Sequence, residues 1–305
     1  MIDAVKKHLC SQFLLKDLGS LKYFLGLEIA RSSKGIHICQ RKYALELLEE
    51  FGMLACKPRA SPMDTKEKIQ SDSGEPLSNP TLYRKLVGKL IYLSVTRPDI
   101  SFTVQRLSQF MSDPRTAHLE AGFRLLRYIK SAPAQGLLYR SDTTIRLSGY
   151  TDADWAACAD TRRSVSGFCT FLGDSLITWK SKKQKTVSRS SVESEYRAMA
   201  QATSELIWVS GLLRELGVDF QEPVTLFCDS KSAIHIANNP VYHERTKHIE
   251  IDCHFVREHL KSGFLKPLHV DSRRQIANIF TKPLAGDHLR NLLSKMGIAN
   301  LHSPS

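Results

Sequence analysis

The sequence contains no CxxC pair, no internal repeat, no low-complexity tract and no apolar run long enough to span a bilayer. Its seven cysteines, an odd number, are scattered at Cys10, Cys39, Cys56, Cys158, Cys169, Cys228 and Cys253. That spacing argues against both a zinc ribbon and a disulfide framework, and it fits a reducing intracellular compartment. The opening MIDAVKKHLCSQFLLKDLG breaks its apolar positions with charge and holds no signal-peptide core. No two aspartates are adjacent anywhere. Acidic residues are outnumbered, 31 against 43 lysines and arginines, which leaves a net charge of +12. Such an excess suits a polyanionic partner, and with no spanning segment nucleic acid matches better than a membrane surface.

What is present is ordinary globular material: 305 residues, 42% hydrophobic and 24% charged, enough for two domains. Residues 23–40 read as a hairpin. Leu25, Leu27 and Ile29 alternate on one face, Ser32 to Gly35 turns the chain, and Ile36 and Ile38 resume the period of two. A helix is expected over 41–51 with Gly52 as its C-cap, then a Pro-, Ser- and charge-rich linker over 57–80. Helices are expected at 81–95, 99–111 and 115–131, the last with Arg124, Arg127 and Lys130 on a basic outer face.

From residue 146 the pattern changes. IRLSGYTDADW, SGFCTFLG and SLITWKS read as three strands, followed by a long helix over 191–216. VTLFCDS is a strand entering a helix, another helix covers 247–260, FLKPLHV is a strand, and SRRQIANIFTKPL a last helix. Hairpin-like strands followed by alternating helices and strands predict an α/β domain with a mixed sheet.

Three carboxylates stand out in that domain. Asp152 sits near the end of a strand with apolar neighbours, where an unpaired carboxylate is costly and wants a metal, a cation or water. Asp154, two residues on, points the same way and is its rival. Asp229 ends a strand at the edge where α/β proteins gather functional groups, although it could equally serve as an N-cap. On the long helix, Ser190 and Glu193 form a capping-box pattern, so Glu193 has a structural job. Glu195 has none, and it shares a small-residue face with Ala198, Met199 and Ala202. Singly, each has a bland reading as a turn former, a cap or a solvated helix face. Together they make an all-oxygen cluster suited to Mg²⁺ or Mn²⁺ and not to zinc. Two such ions about 3.5–4 Å apart can clamp the attacking and leaving oxygens of a phosphodiester.

GYTDADWA, TRRSVSGFCTFLG, WKSKKQKTVSRSSVESEYRAMA, LFCDSKSAIHIANNP, HERTKHIEID and IFTKPL, in this order, closely resemble the ribonuclease H end of copia-type LTR retrotransposon Pol polyproteins. Upstream, KDLGSLKYFLGLEIARSSKGIHICQRKYALELLEEFGML resembles the end of that family's reverse transcriptase palm, and YRKLVGKLIYLSVTRPDISFTVQRLSQFM its thumb and connecting region. The resemblance implies a palm remnant over 1–56, a linker over 57–80, a helical thumb or connection over 81–145, a ribonuclease H-like mixed α/β domain over 146–284 and a C-terminal tail over 285–305.

It also implies roles. Asp152, Glu195 and Asp229 fall on the family's metal-binding carboxylates, with Asp152 preferred to Asp154 and Glu195 to Glu193. Asn278 stands where the family has a fourth aspartate, so one metal should be held less firmly. His269 occupies a position resembling the histidine that helps product leave. The family's polymerase aspartate pair has no counterpart here, so no polymerase activity is expected.

Lys180, Lys182, Lys183, Lys185 and Arg189 form a basic run between the third strand and the long helix, a candidate grip on hybrid phosphates or a solvated loop. Trp155 and Trp179 read as packing residues. His243, His248, His254 and His259 lack cysteines at metal spacing, and Glu250 and Asp252 suit an exposed helix start. Two functions follow: a metal-dependent ribonuclease acting on RNA–DNA hybrids, or a silent element relic that still binds nucleic acid.

Overall fold

The computed structural model describes residues 2–16, 19–66, 68–219, 222–239 and 249–300; the HERTKH segment, with His243 and His248, lies outside them. Among the described residues, two five-stranded sheets organise the chain. The first contains β1 (Tyr23–Phe24), β2 (Leu27–Ser32), β3 (Gly35–Cys39), β4 (Gln135–Arg140) and β10 (Ile298–Asn300), paired antiparallel in that order. The expected strand through Leu25 is interrupted. Leu25 and Gly26 take φ of 47° and 79° and form a two-residue turn between β1 and β2, leaving Leu25 exposed. Such turns need positive φ at both positions, which Gly26 adopts without cost.

Helices α1 (Ile2–Gln12), α2 (Arg41–Glu50), α3 (Pro80–Leu93), α4 (Ser101–Ser108) and α5 (Thr116–Ser131) belong to the first half. Pro80 opens α3 behind Asn79, whose side chain accepts a hydrogen bond from the Thr81 amide at 3.1 Å. The 57–80 stretch is irregular but folded down: Met63 and Ile69 are buried among the helices. Arg124 pairs with Asp64 at 3.1 Å, so the basic face of α5 is partly spent on that stretch. A buried ion pair between Arg97 and Asp99, 2.8 Å apart, ties the region together. Tyr128 and Gln135 donate to the same Asp99 oxygen at 2.7 and 2.8 Å, which joins α5 to β4.

The second sheet runs β7-β6-β5-β8-β9, built from β5 (Leu147–Asp154), β6 (Val165–Leu172), β7 (Ser175–Lys183), β8 (Val224–Cys228) and β9 (Leu265–His269). β5, β6 and β7 are antiparallel, while β8 and β9 continue parallel to β5. One face carries α6 (Ser191–Glu215), α7 (Lys231–Asn238) and α8 (Glu250–Lys261), with Phe168, Leu206 and Val256 in the intervening core. The opposite face buries Val165, Cys169 and Phe171 against the helices of the first half. β6 is covered on both sides, which explains why its sequence lacks polar alternation.

Residues 285–305 were expected as a tail. Of these, Gly286–Lys295 form α9, which buries Leu289, Leu292 and Leu293, and β10 pairs with β4 through Ile298 and Leu137. The helix expected over SRRQIANIFTKPL shrinks to a 3₁₀ turn, Ile276–Phe280. Gln275 stops it at the start: its Oε1 accepts from the Ala277 amide and its Nε2 donates to the Thr151 carbonyl at 2.9 Å. Pro283 stops it at the end.

Candidate active site

The strand ends of the second sheet gather the carboxylates. Asp152 lies on β5, with a side chain only 2% exposed. Glu195 lies in the second turn of α6, which begins at the N-cap Ser190; the Ser190 hydroxyl accepts from the Glu193 amide at 3.1 Å. Glu193 itself accepts from the Arg189 amide at 2.7 Å, one residue before the N-cap amide that a capping box would use, and pairs with Arg197 at 3.0 Å. Asp229 follows β8 and accepts from the Ser272 hydroxyl at 2.7 Å. Ser230, not Asp229, caps α7 by accepting from the Ala233 amide, which leaves Asp229 free of that duty.

Glu195, Cys228 and Asp229 each offer a ligand atom within 4.8 Å of the others. Asp152 does not enter that tight set, yet its charge and that of Asp229 act on Glu195. Burial first, then those two carboxylates, push the Glu195 carboxyl up to about 9. Burial also raises Asp152, with Lys282 and Thr281 opposing and Asp229 adding to the rise. Asp154 is raised by burial and is less enclosed than Asp152. The Cys228 thiol is pushed up by burial, and a neutral thiol has little to offer a hard cation.

Among the buried side-chain oxygens without a hydrogen-bond partner are Glu195 Oε2 and Asn278 Oδ1. Orphaned buried oxygens beside mutually repelling carboxylates are what a divalent cation would satisfy, so the donor set fits Mg²⁺ or Mn²⁺. Asn278 is held by its amide nitrogen, which donates to the Ser272 carbonyl at 2.9 Å. Ser272 therefore links Asn278 to Asp229.

Two residues passed over in the sequence sit on Asp152. Thr281 donates its hydroxyl to Asp152 Oδ2, and the Lys282 ammonium lies 3.2 Å from the same oxygen. Their signal was available in IFTKPL, but a helix drawn through that segment hides it. Gly167 makes the approach possible. It is the cross-strand partner of Asp152, and a Cβ there would lie 2.7 Å from Phe280 Cβ and Thr281 Cγ2.

The basic run divides. Lys180, Lys182 and Lys185 join Arg197, Gln201 and Ser204 around a cleft of about 610 Å³ between β7, α6 and α8. Lys183 also borders the cleft, but its ammonium lies 3.8 Å from Cys158 Sγ. Arg189 is exposed at the start of α6, outside the cleft lining. His269 is exposed at the end of β9, in register with Cys228 and so near Asp229 along the sheet edge. Trp155 is half exposed and donates its indole N–H to the Ser188 carbonyl at 3.0 Å, bracing the loop before α6.

Three antiparallel strands continued by two parallel ones, with a carboxylate-bearing helix packed across the first, define a ribonuclease H-like domain. The chain as a whole belongs to the copia-type LTR retrotransposon Pol family. It is 44% identical over 294 residues to the retrovirus-related Pol polyprotein from transposon RE1 of Arabidopsis thaliana, covering 96% of this chain and 20% of that protein. It is 36% identical to the polyprotein from transposon TNT 1-94 of Nicotiana tabacum, over 92% of this chain and 22% of that protein. A shorter relative, an uncharacterized mitochondrial protein of Arabidopsis thaliana, is 44% identical over 66% of this chain and 84% of its own length. The chain thus spans about a fifth of the polyproteins it matches.

The family model described as reverse transcriptase (RNA-dependent DNA polymerase) matches residues 1–65. Among solved structures, LC11-RNase H1 in complex with RNA/DNA hybrid is 15% identical, with a TM-score of 0.35 over 45% of this chain and 94% of that one. The foamy viral protease-reverse transcriptase in complex with double-stranded DNA is 10% identical, with a TM-score of 0.48 over 82% of this chain and 37% of that one. No helix among the described residues is long and apolar enough to cross a membrane.

Proposed function

We propose that this chain cuts the RNA strand of RNA–DNA hybrids in a metal-dependent reaction, with residues 146–284 as the catalytic domain and 1–145 as its support. The observation that carries the reading is the closeness of Glu195 and Asp229, within the influence of Asp152, together with a buried Glu195 oxygen that has no hydrogen-bond partner. Asp152, Glu195 and Asp229 would hold the metal, and Asn278 would contribute its neutral carbonyl oxygen. An Mg²⁺ or Mn²⁺ ion held by these residues would supply a polarised water and offset charge on the phosphate. Ser272 orients Asp229, and Gln275 anchors the turn bearing Asn278 to β5. His269, exposed at the end of β9 in register with Cys228, would help the product leave. The cleft lysines Lys180, Lys182, Lys183 and Lys185, with Arg189 exposed outside the cleft at the start of α6, would grip phosphates, so binding should weaken with salt. No polymerase chemistry is proposed for this stretch, which has no adjacent aspartate pair.

A specific observation favours a second reading. Asn278 withholds a charge that the family's aspartate supplies, which suits a silent relic that binds nucleic acid without cutting it. Labelled hybrid, duplex RNA and duplex DNA incubated with Mg²⁺, Mn²⁺ or EDTA separate the two. Hybrid-specific cutting that EDTA stops supports the enzyme. Retention of hybrid with no cutting in either metal supports the relic.

A further inference from the structure

Asp152 Oδ2 is committed to two donors, the Thr281 hydroxyl and the Lys282 ammonium, both from the turn that follows Asn278. That turn is fixed in place. The Thr281 and Lys282 amides donate to the Asn278 carbonyl at 3.3 and 3.2 Å, and the bare backbone of Gly167 admits Phe280 and Thr281 against β6. By contrast, Glu195 Oε2 and Asn278 Oδ1, on residues more than nine-tenths buried, have no hydrogen-bond partner. Glu195 and Asp229 are already within 4.8 Å of each other, whereas Asp152 stands outside that set. The acidic cluster is therefore split: one half is open to a cation, and the other already holds one.

The two members of the Asp152–Lys282 pair differ in freedom. The Asp152 side chain is 2% exposed and the Lys282 side chain 34%. A long lysine stem can stay packed while its charged tip swings to water, but the aspartate has nowhere to turn. Displacement by a stronger cation would thus move the lysine.

We propose that Lys282 is a built-in cation that occupies Asp152 in the metal-free chain and competes with a divalent ion for that carboxylate. The inference rests on the metal-dependent reading above and goes further in assigning an order. The first ion is taken at Glu195 and Asp229. A second, which needs Asp152, must first displace the ammonium. Lys282 is a positioning residue in this account, since it acts through Asp152. With Asn278 neutral and Lys282 positive, the cluster holds a second ion more weakly than its three carboxylates suggest.

The test counts ions and needs no cleavage. Mn²⁺ is titrated into the full chain without nucleic acid, and free Mn²⁺ is followed by its paramagnetic resonance signal, for wild type, Lys282→Met, Lys282→Arg and Glu195→Gln. Wild type should bind one ion well and a second weakly. Lys282→Met should tighten the second by about ten-fold, the scale of a charged hydrogen bond removed from competition. Lys282→Arg, which keeps the charge, should stay within a few-fold of wild type, and this also controls for disturbance of the turn. Loss of the first ion in Glu195→Gln reports on the metal site itself, whatever Lys282 does. Superimposable wild-type and Lys282→Met isotherms with Glu195→Gln impaired would overturn the role of Lys282 and leave the metal site standing. No Mn²⁺ bound by any form would overturn both.

Discussion

Gly167 and Asp152 face each other across β6 and β5, and the missing side chain at Gly167 is what lets Thr281 and Lys282 reach the Asp152 carboxylate. The proposed catalytic aspartate is thereby coupled to a segment more than a hundred residues downstream. A residue with no functional group of its own shapes the site.

Gly167→Ala should accordingly be costly. Its Cβ would press on Phe280 Cβ and Thr281 Cγ2 at 2.7 Å and on the Ala277 carbonyl at 3.1 Å, with the segment already buried. Overpacking of this kind costs typically about 1–3 kcal/mol. Urea unfolding should show a loss in that range, whereas Gly88→Ala, where a Cβ meets nothing within 4 Å in the middle of α3, should show none or a gain. Equal effects at the two glycines would contradict the close approach.

The metal-free fold should weaken as pH rises. Below the ordinary Glu195 value of 4.5 both folded and unfolded chains keep the proton, so the group costs nothing; between there and about 9 only the unfolded chain releases it. Stability is lost across that window, and above it the penalty is constant. In EDTA, Glu195→Gln should be more stable than wild type at pH 8 and should show a shallower decline between pH 5 and 9. A residual slope will remain, because burial also raises Asp152 and Asp154. A variant no more stable than wild type at pH 8 would contradict the buried, mutually repelling carboxylates.

Much of this site was legible because its parts are local patterns. Asp152 and Asp229 follow apolar strand residues, and the Ser190 and Glu193 spacing marks the start of α6 and leaves Glu195 without a capping job. Lys282 was not legible. Ile276, Ile279 and Phe280 carry helical spacing, and only the tertiary contacts of Gln275 and Gly167 confine that segment to one 3₁₀ turn. β4 and β10 were missed for a similar reason: each finds its partner far along the chain, Ile298 beside Leu137 and Ile38 beside Leu137. Arg124 lies on the basic outer face expected of α5, but its ion pair with Asp64, sixty residues upstream, is a tertiary contact that helix periodicity does not show.

Asn278→Asp should raise hybrid cleavage, and more in Mg²⁺ than in Mn²⁺. The added charge sits where an unpartnered buried oxygen already points, and Mg²⁺, which dehydrates reluctantly and demands regular geometry, gains more from a full carboxylate. The variant loses the amide donor to the Ser272 carbonyl, so part of the gain is offset. Initial rates in the two metals check this; a variant slower than wild type in both would show that Asn278 serves the fold and not the metal.

The central claim is tested most directly by single-turnover cleavage of an RNA–DNA hybrid labelled on each strand in turn, comparing wild type with Glu195→Gln in Mn²⁺. Wild type should cut the RNA strand alone and leave 3′-hydroxyl ends. Glu195→Gln, folded and at least as stable without metal, should lose at least about a hundred-fold in rate, as expected when a metal-holding carboxylate is removed. Cutting at equal rates by the two proteins, or no cutting of hybrid by wild type while hybrid remains bound, would contradict the account.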